Sequence, residues 1–378
     1  MKQGWYSESI EDLCEVEYGT RVVRKRDAGT IYPVYGGGGA TFSMDTYNRE
    51  DRMVIARFAM SKRCVRFVDG KFFLNDSGLT ISPLDDNTFD QDFLNYQILS
   101  LNDEIYSLAR GTAQKNLNVN AFKKVQLSYP ASLEEQKQIV AKLDQCFEAI
   151  DKARANAAKN LENAKELFQS KLNEIFSQKG EGWVEVVLNE IGETQTGTTP
   201  PTKDISNYGD YIPFVKPPHF SPDGSINTGS SMLSKSGLEK GRLFQSNSVL
   251  MVCIGATIGK TGFSTVPVSS NQQINCLTPK KEYNPKLFYY GLISPFVQRQ
   301  VIEIGSGSQA TLPIINKSKW SKLRINIPTE RSVQDVIVQL LDGLKQKTQP
   351  LESKYQQELN SLEELKKSIL QKAFEGEL

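Results

Sequence analysis

Gly259, Lys260 and Thr261 close the stretch VCIGATIGKTGF (252–263) in the order found where a glycine-rich loop cradles phosphate. That loop also needs a glycine five positions before Gly259. Position 254 is Ile and Gly255 comes one residue late, so the stretch reads as strand, turn, strand. KPPHF (216–220) stands near the loop with which an enzyme grips the amino group of a flipped base, but Lys216 replaces the required acceptor and His219 the stacking aromatic. It is not catalytic, and a DNA-facing loop competes there with an inert surface turn. GGGG (36–39) precedes no helix, which excludes a dinucleotide fingerprint and leaves conformational freedom against a backbone as its use.

His219 is the only histidine, so any site built on two imidazoles is excluded and a serine triad has one possible base. The five cysteines (Cys14, Cys64, Cys146, Cys253, Cys276) are scattered and never spaced Cys-x-x-Cys, which speaks for reduced structural thiols and against a zinc cage. No metal and no cofactor is expected on this chain.

What remains is chemistry for a polyanion. The net charge of +1 makes no overall basic field, so contact would come from local patches. RVVRKR supplies Arg21, Arg24 and Lys25, SKRCVR supplies Lys62 and Arg63, and the run from 110 to 118 adds Arg110, Gln114, Lys115 and Asn116, with Tyr35 of IYPVY counted among them. Farther along, Lys203, Lys216, His219, Gln272, Gln273 and the loop residues Ser308, Gln309 and Thr311 form a second set. Arg and Lys meet phosphates or guanine edges, and Gln and Asn can grip adenine through two hydrogen bonds. Any one of them could be a plain surface group. Two comparable sets on loops favour DNA.

The elements that hold the two sets repeat. Trp5 to Thr20 matches Trp183 to Thr198 at an offset of 178, with Gly19/Gly197 identical. IYPVY (31–35) answers YIPFV (211–215), and residues 53–83 lie without gaps on 249–279 at an offset of 196, with Asn75/Asn271 and Pro83/Pro279 in step. Leu117 to Phe176 then runs gaplessly against Ile315 to Phe374, sharing Pro130/Pro328, Gln136/Gln334, Leu143/Leu341 and Asp144/Asp342. The offset grows between 35 and 53, so the second copy carries an insertion within 216–245. One scaffold with two different loops suits two different targets.

Each copy begins with short strands (VIARF, KFFL, LTIS; SVLMVCI, INCLT) and a short helix around FDQDFLNYQILSL or PKLFYYGLISPFVQRQ, an α+β domain. It ends in a long run without an early breaker. From 132 to 178, Ile139, Leu143, Phe147, Ile150, Ala157, Leu161, Ala164, Leu167, Leu172 and Ile175 recur at helical steps. From 330 to 378, Val333, Val336, Leu340, Leu344, Leu351, Tyr355, Leu362, Leu365, Ile369 and Phe374 do the same, with a kink expected at Pro350. A helix of ~45 residues is about 68 Å long, too long to bury its stripe on its own small domain, so the two are expected to pair as an antiparallel coiled coil. The organisation read from the chain is 1–131 first domain, 132–178 first long helix, 179–329 second domain and 330–378 second long helix, related by a pseudo-twofold axis.

The two helices, the GTAQKNLNVNAFKKVQLSYP and GSGSQATLPIINKSKWSKLRINIP stretches, and the LEEQKQIVAKLD and ERSVQDVIVQLLD that follow them resemble the specificity subunits of type I restriction-modification enzymes. The resemblance covers nearly the whole chain. It implies a non-catalytic, DNA-binding subunit with two target recognition domains, each reading one half of a split, non-palindromic site in double-stranded DNA. It further implies that the helices set the spacing and dock two adenine methyltransferase (M) subunits, to which restriction/translocase (R) subunits add. S-adenosylmethionine, ATP and Mg are then expected only on those partners. Pro350 and SVQDV in place of the more usual EEQKQ are departures, bearing on the second helix alone. A non-enzymatic coiled-coil scaffold that binds proteins stays open as the alternative. With no run of about 18 apolar residues and no apolar stretch behind the first lysine, neither a membrane nor a secretory segment is expected, and a cytoplasmic place is.

Overall fold

Trp5 faces Pro130 across a two-stranded antiparallel ribbon, Trp5–Ser9 on Gln126–Pro130, and Trp183 faces Pro328 across its twin, Trp183–Val187 on Arg324–Pro328. The computed structural model of the chain describes residues 4–306 and 313–378. It divides into unit 1 (Met1–Ala157 with Gln357–Leu378) and unit 2 (Ala158–Gln356). Each is an α+β domain joined to parts of the two long helices.

In unit 1 a six-stranded sheet runs in the order Cys14–Tyr18, Gly78–Pro83, Arg49–Ala56, Val65–Leu74, Tyr32–Gly36, Gly39–Met44. The strand positions that alternate inward (Ile55, Leu79, Ile81) join Phe93, Ile105 and Phe122 in a core where every one of them is fully or almost fully buried. Burying each such side chain stabilises by about 1.5–3 kcal/mol. Asp90 caps the helix Gln91–Ser100, its Oδ1 accepting from the backbone of Asp92 and Phe93 at 3.0 Å each, which sets Phe93 edge-on to Phe89 at 5.7 Å.

Unit 2 repeats the plan with its sheet split. Gly192–Thr196, Ile274–Pro279, Ser248–Val252 and Thr261–Ser264 form four strands; Met232–Leu233, Tyr208–Val215 and Ser269–Ser270 form three. Asn284 takes the capping place of Asp90, accepting from Lys286 at 3.0 Å ahead of the helix Pro285–Ile293. The core holds Trp320, Tyr290, Phe288 and Met251, with the indole of Trp320 donating to Met251 Sδ at 3.2 Å.

The long helices are Leu133–Phe176 and Arg331–Phe374, 44 residues each, and the second continues through Pro350. Within unit 1, Arg154 meets Glu363 at 3.8 Å and Asp151 meets Lys366 at 3.4 Å, pairs that step in opposite directions along the two segments. The buried face of the second helix differs from the stripe expected. Val333, Val336 and Leu340 are exposed, and Gln334, Ile337, Val338 and Leu341 are buried instead. Both sets recur at three- and four-residue steps, and the one that meets the domain core is the one carrying Gln334. Leu167 of the first helix is likewise exposed, its place in the core taken by Phe168. Among the described residues no helix is long and apolar enough to cross a membrane.

Candidate nucleic-acid interface

In unit 1 five chain segments meet around Asn75. Its N–H donates to Tyr35 O at 2.8 Å and its Nδ2 to Val22 O at 3.2 Å, while Arg57 N donates to Ser77 O at 2.9 Å and Leu117 N to Arg57 O at 2.8 Å. Gly19 passes so close that a Cβ there would lie 2.0 Å from Asn75 O, and one at Gly37 would lie 2.5 Å from Phe58 O. Within 36–39, Gly37 is thus required by close backbone approach at a strand turn and Gly39 by its φ of +115°, while Gly38 stands in open space.

This frame carries cations. Arg21, Arg24, Lys25 and Lys62 are exposed, and their side chains have no hydrogen-bond or ion-pair partner among the described residues; Gln114 is exposed likewise. Arg26, by contrast, is held by Asp27 at 2.8 Å. Lys115 lies over the Tyr106 ring at 4.6 Å, and Asn116 Oδ1 accepts from Ala59 N at 3.2 Å. Arg110 is exposed two residues past Leu108, in the short ribbon Ala109–Arg110 with Asn116–Leu117. Tyr35 is half-buried, edge-on to Phe72 at 5.6 Å, so its ring serves packing. Arg63 reaches Glu363 at 3.6 Å.

Two further arginines belong to the same frame, Arg57, which was not among the expected residues, and Arg66, which ends the SKRCVR run. Arg57 stacks between Tyr18 (5.1 Å) and Phe58 (4.6 Å), and Arg66 Nη2 donates to Gly37 O at 2.9 Å. Their signal was present in the RFAMSKRCVR run; what tied them to the site was pairing across the sheet.

Unit 2 reproduces the three backbone bonds of the frame. Asn271 N donates to Val215 O at 3.2 Å, Cys253 N to Gln273 O at 2.7 Å and Ile315 N to Cys253 O at 2.8 Å. A Cβ at Gly197 would lie 2.1 Å from Asn271 O. Gln272 and Gln273 therefore sit on the loop equivalent to Asp76 and Ser77. Gln272 Oε1 accepts from Thr199 Oγ1 at 2.5 Å and Gln273 Oε1 from Asn271 Nδ2 at 2.9 Å. Lys203 is exposed, without a partner among the described residues. Lys216 lies over Phe214 at 5.4 Å, and its N–H donates to His219 Nδ1 at 3.2 Å in the turn Pro217–His219. Burial and, secondarily, the Lys216 charge hold His219 below its ordinary pKa, so the imidazole is neutral. Ser308, Gln309 and Thr311 lie outside the described residues.

Lys260, of the phosphate-loop-like stretch, follows a turn between the antiparallel strands Ser248–Val252 and Thr261–Ser264. No helix starts there, and the backbone N–H of Gly259 is taken by Val252 O at 2.8 Å. Among the described residues no group of three or more His, Cys, Asp or Glu could hold a metal ion.

The likeness to other proteins falls in the same place. The model of the type I restriction modification DNA specificity domain matches twice, over residues 2–160 and 180–361. The type I restriction enzyme HindI specificity subunit of Haemophilus influenzae is 30% identical over 154 residues, which cover 40% of this chain and 33% of that protein. A putative type I specificity subunit of Mycoplasma genitalium is 21% identical over 98% of this chain and 94% of its own. A solved chain, described in work on complex assembly and conformational transition of the type I R-M system, superposes with a TM-score of 0.73 at 19% identity, covering 100% of this chain and 99% of that one. A family domain matched once on each copy of a duplicated, cation-bearing loop frame places the chain among the type I restriction-modification specificity subunits, whose part is DNA recognition.

Proposed function

We propose that each domain reads one half of a bipartite, non-palindromic site in double-stranded DNA, and that the chain itself catalyses nothing. The observation that carries this is the shared frame with different letters on it. Arg57 stands where the second domain has Cys253, and Ser77 where it has Gln273, on identical backbone hydrogen bonds. Unequal polar groups on equal scaffolds suit two unequal half-sites. Arg21, Arg24, Lys25, Lys62 and Lys203 are offered to phosphates, and Gln114, Gln272 and Gln273 to base edges.

The two long helices are proposed to pair as an antiparallel coiled coil that sets the spacing of the half-sites, a reading supported by the opposed steps of Arg154–Glu363 and Asp151–Lys366. The apolar face of Val333, Val336 and Leu340, left exposed by the chain's own core, suits docking of a methyltransferase subunit. Restriction subunits would join through that assembly, with S-adenosylmethionine, ATP and Mg on the partners.

Exchange of residues 1–131 for the equivalent domain of a relative tests the reading. Methylome sequencing of cells carrying the chimera and its methyltransferase is expected to show one half of the methylated site changed and the other kept. Both halves changed, with the complex intact, would overturn it. Failure of the complex to retain any duplex in a shift assay would favour a protein-binding scaffold.

A further inference from the structure

Ile205 is 82% exposed, the highest value of any large apolar side chain among the described residues. A single exposed isoleucine is ordinary. Its support is not. Ile205 opens the three-residue turn Ile205–Asn207, and nearly every polar group around it is bonded. Asp204 Oδ1 accepts from Ser206 N (3.2 Å) and Ser206 Oγ (2.6 Å), while Lys240 Nζ bridges Asp204 Oδ2 (3.0 Å) and Asn207 Oδ1 (2.9 Å). Ser206 O accepts from both Ser234 Oγ (2.5 Å) and Ser236 Oγ (3.0 Å), and Asn207 Nδ2 donates to Pro201 O (3.0 Å). Gly237 packs so closely that a Cβ would lie 1.8 Å from Asn207 O.

Ser234, Ser236, Gly237 and Lys240 all come from the insertion that the first copy lacks. Opposite the tip itself, at an offset of 180, unit 1 has the helix Arg24–Asp27, with no buried residue and three bases. The 234–240 part of the extra chain in the second domain thus stiffens one apolar tip. The tip belongs to the reading frame as well: Lys203 lies two residues before it, and Thr199 of the same segment is bonded to Gln272.

We propose that Ile205 is a specificity-determining contact of the second domain, set against the 5-methyl group of a thymine in the groove. This rests on the DNA reading above. A stiff apolar tip beside a lysine suits it, because thymine offers the only apolar substituent on a base edge and a prepaid conformation loses no freedom on contact. The methyl distinguishes thymine from cytosine at a position where hydrogen bonding from Ile205 is impossible.

The test uses the complex with its methyltransferase and a duplex bearing the site found by methylome sequencing. Each thymine of the second half-site is replaced in turn by deoxyuridine, which removes the methyl alone. The wild-type complex is expected to lose about fourfold in affinity at one such position, the worth of one buried methyl. Ile205→Ser should show the same loss on the natural duplex and no response to uracil there, and Ile205→Val should keep the response. Because Ile205 touches no core, an unchanged melting temperature separates this from misfolding. Indifference of the wild type to every uracil, or an Ile205→Ser loss equal on thymine and uracil duplexes, overturns the assignment while leaving site-specific binding standing. A wild-type complex that holds the site no better than an unrelated duplex would sink the DNA reading itself.

Discussion

Asn75 donates its backbone N–H to the carbonyl of Tyr35 at 2.8 Å, and Asn271 repeats the bond to Val215 at 3.2 Å. The two acceptors are offset by 180 residues and the two donors by 196, so the bond is kept across a change of loop length. It locks the parallel pairing of Tyr35 with Leu74 and of Val215 with Ser270, at the point after Val215 where the insertion leaves the frame. The scaffold therefore tolerates different loops without moving the residues proposed to meet DNA.

Gly19 and Gly197 are the closest approach in that lock. Gly19→Ala or Gly197→Ala must push Asn75 O or Asn271 O aside, and overpacking of this kind costs about 1–3 kcal/mol. Urea denaturation should show the loss. Gly38→Ala is the control, since nothing lies within 4 Å of its Cβ and its midpoint should not move.

Gln136 and Gln334 are the second duplicated lock. Gln136 Oε1 accepts from Asp90 N at 2.8 Å and its Nε2 donates to Pro130 O at 3.0 Å; Gln334 does the same with Asn284 N (2.9 Å) and Pro328 O (2.9 Å). Both side chains are buried. Alanine at either would strand buried backbone groups at about 1–3 kcal/mol each. Thermal melting of each variant should fall, and the double variant should lose roughly the sum if the two locks are independent.

Much of this was legible in the chain. The offsets of Trp5/Trp183, Asn75/Asn271 and Gln136/Gln334 named the repeat, and each pair does one structural job twice. Periodicity was a poorer guide to which helix face is buried. Val333, Val336 and Leu340 keep a helical rhythm as good as that of Ile337 and Leu341, and only the packed domain core decides between them. The frame around Arg57 and Arg66 could not be read either, because it joins residues 20 to 60 positions apart, mostly through backbone bonds that carry no side-chain signature. The stiffened turn at Ile205 was hidden in the same way: the insertion was visible, its partner Asn207 was not.

The thiols should sort by burial. Burial pushes Cys14, Cys253 and Cys276 up to about 12 and Cys64 up to about 11, so at neutral pH they hold almost no thiolate. Cys146 is the one cysteine with partial exposure. A limiting thiol-reactive probe at pH 8 should label the folded chain at Cys146, with the other four appearing only in denaturant. Peptide mapping that found Cys253 labelled at an equal rate would contradict the packing of the second domain.

His219 gives a clean titration because the chain has no other histidine. Burial first and Lys216 second hold its pKa below the ordinary 6.5. Near pH 7.5 the imidazole is neutral folded and unfolded alike and adds nothing to the pH dependence of stability. As pH falls through 6.5 the unfolded chain takes up a proton that the folded chain refuses, so stability should fall until the lower folded value is passed. The imidazole signals in a pH series should give a midpoint under 6.5, and Lys216→Ala should raise it only in part, since burial remains. Phosphate brought against the turn Pro217–His219 would favour the imidazolium. Duplex bearing the site should therefore raise the midpoint, and binding should tighten as pH falls from 7.5 to 6; a midpoint unmoved by saturating duplex would place His219 away from the DNA backbone.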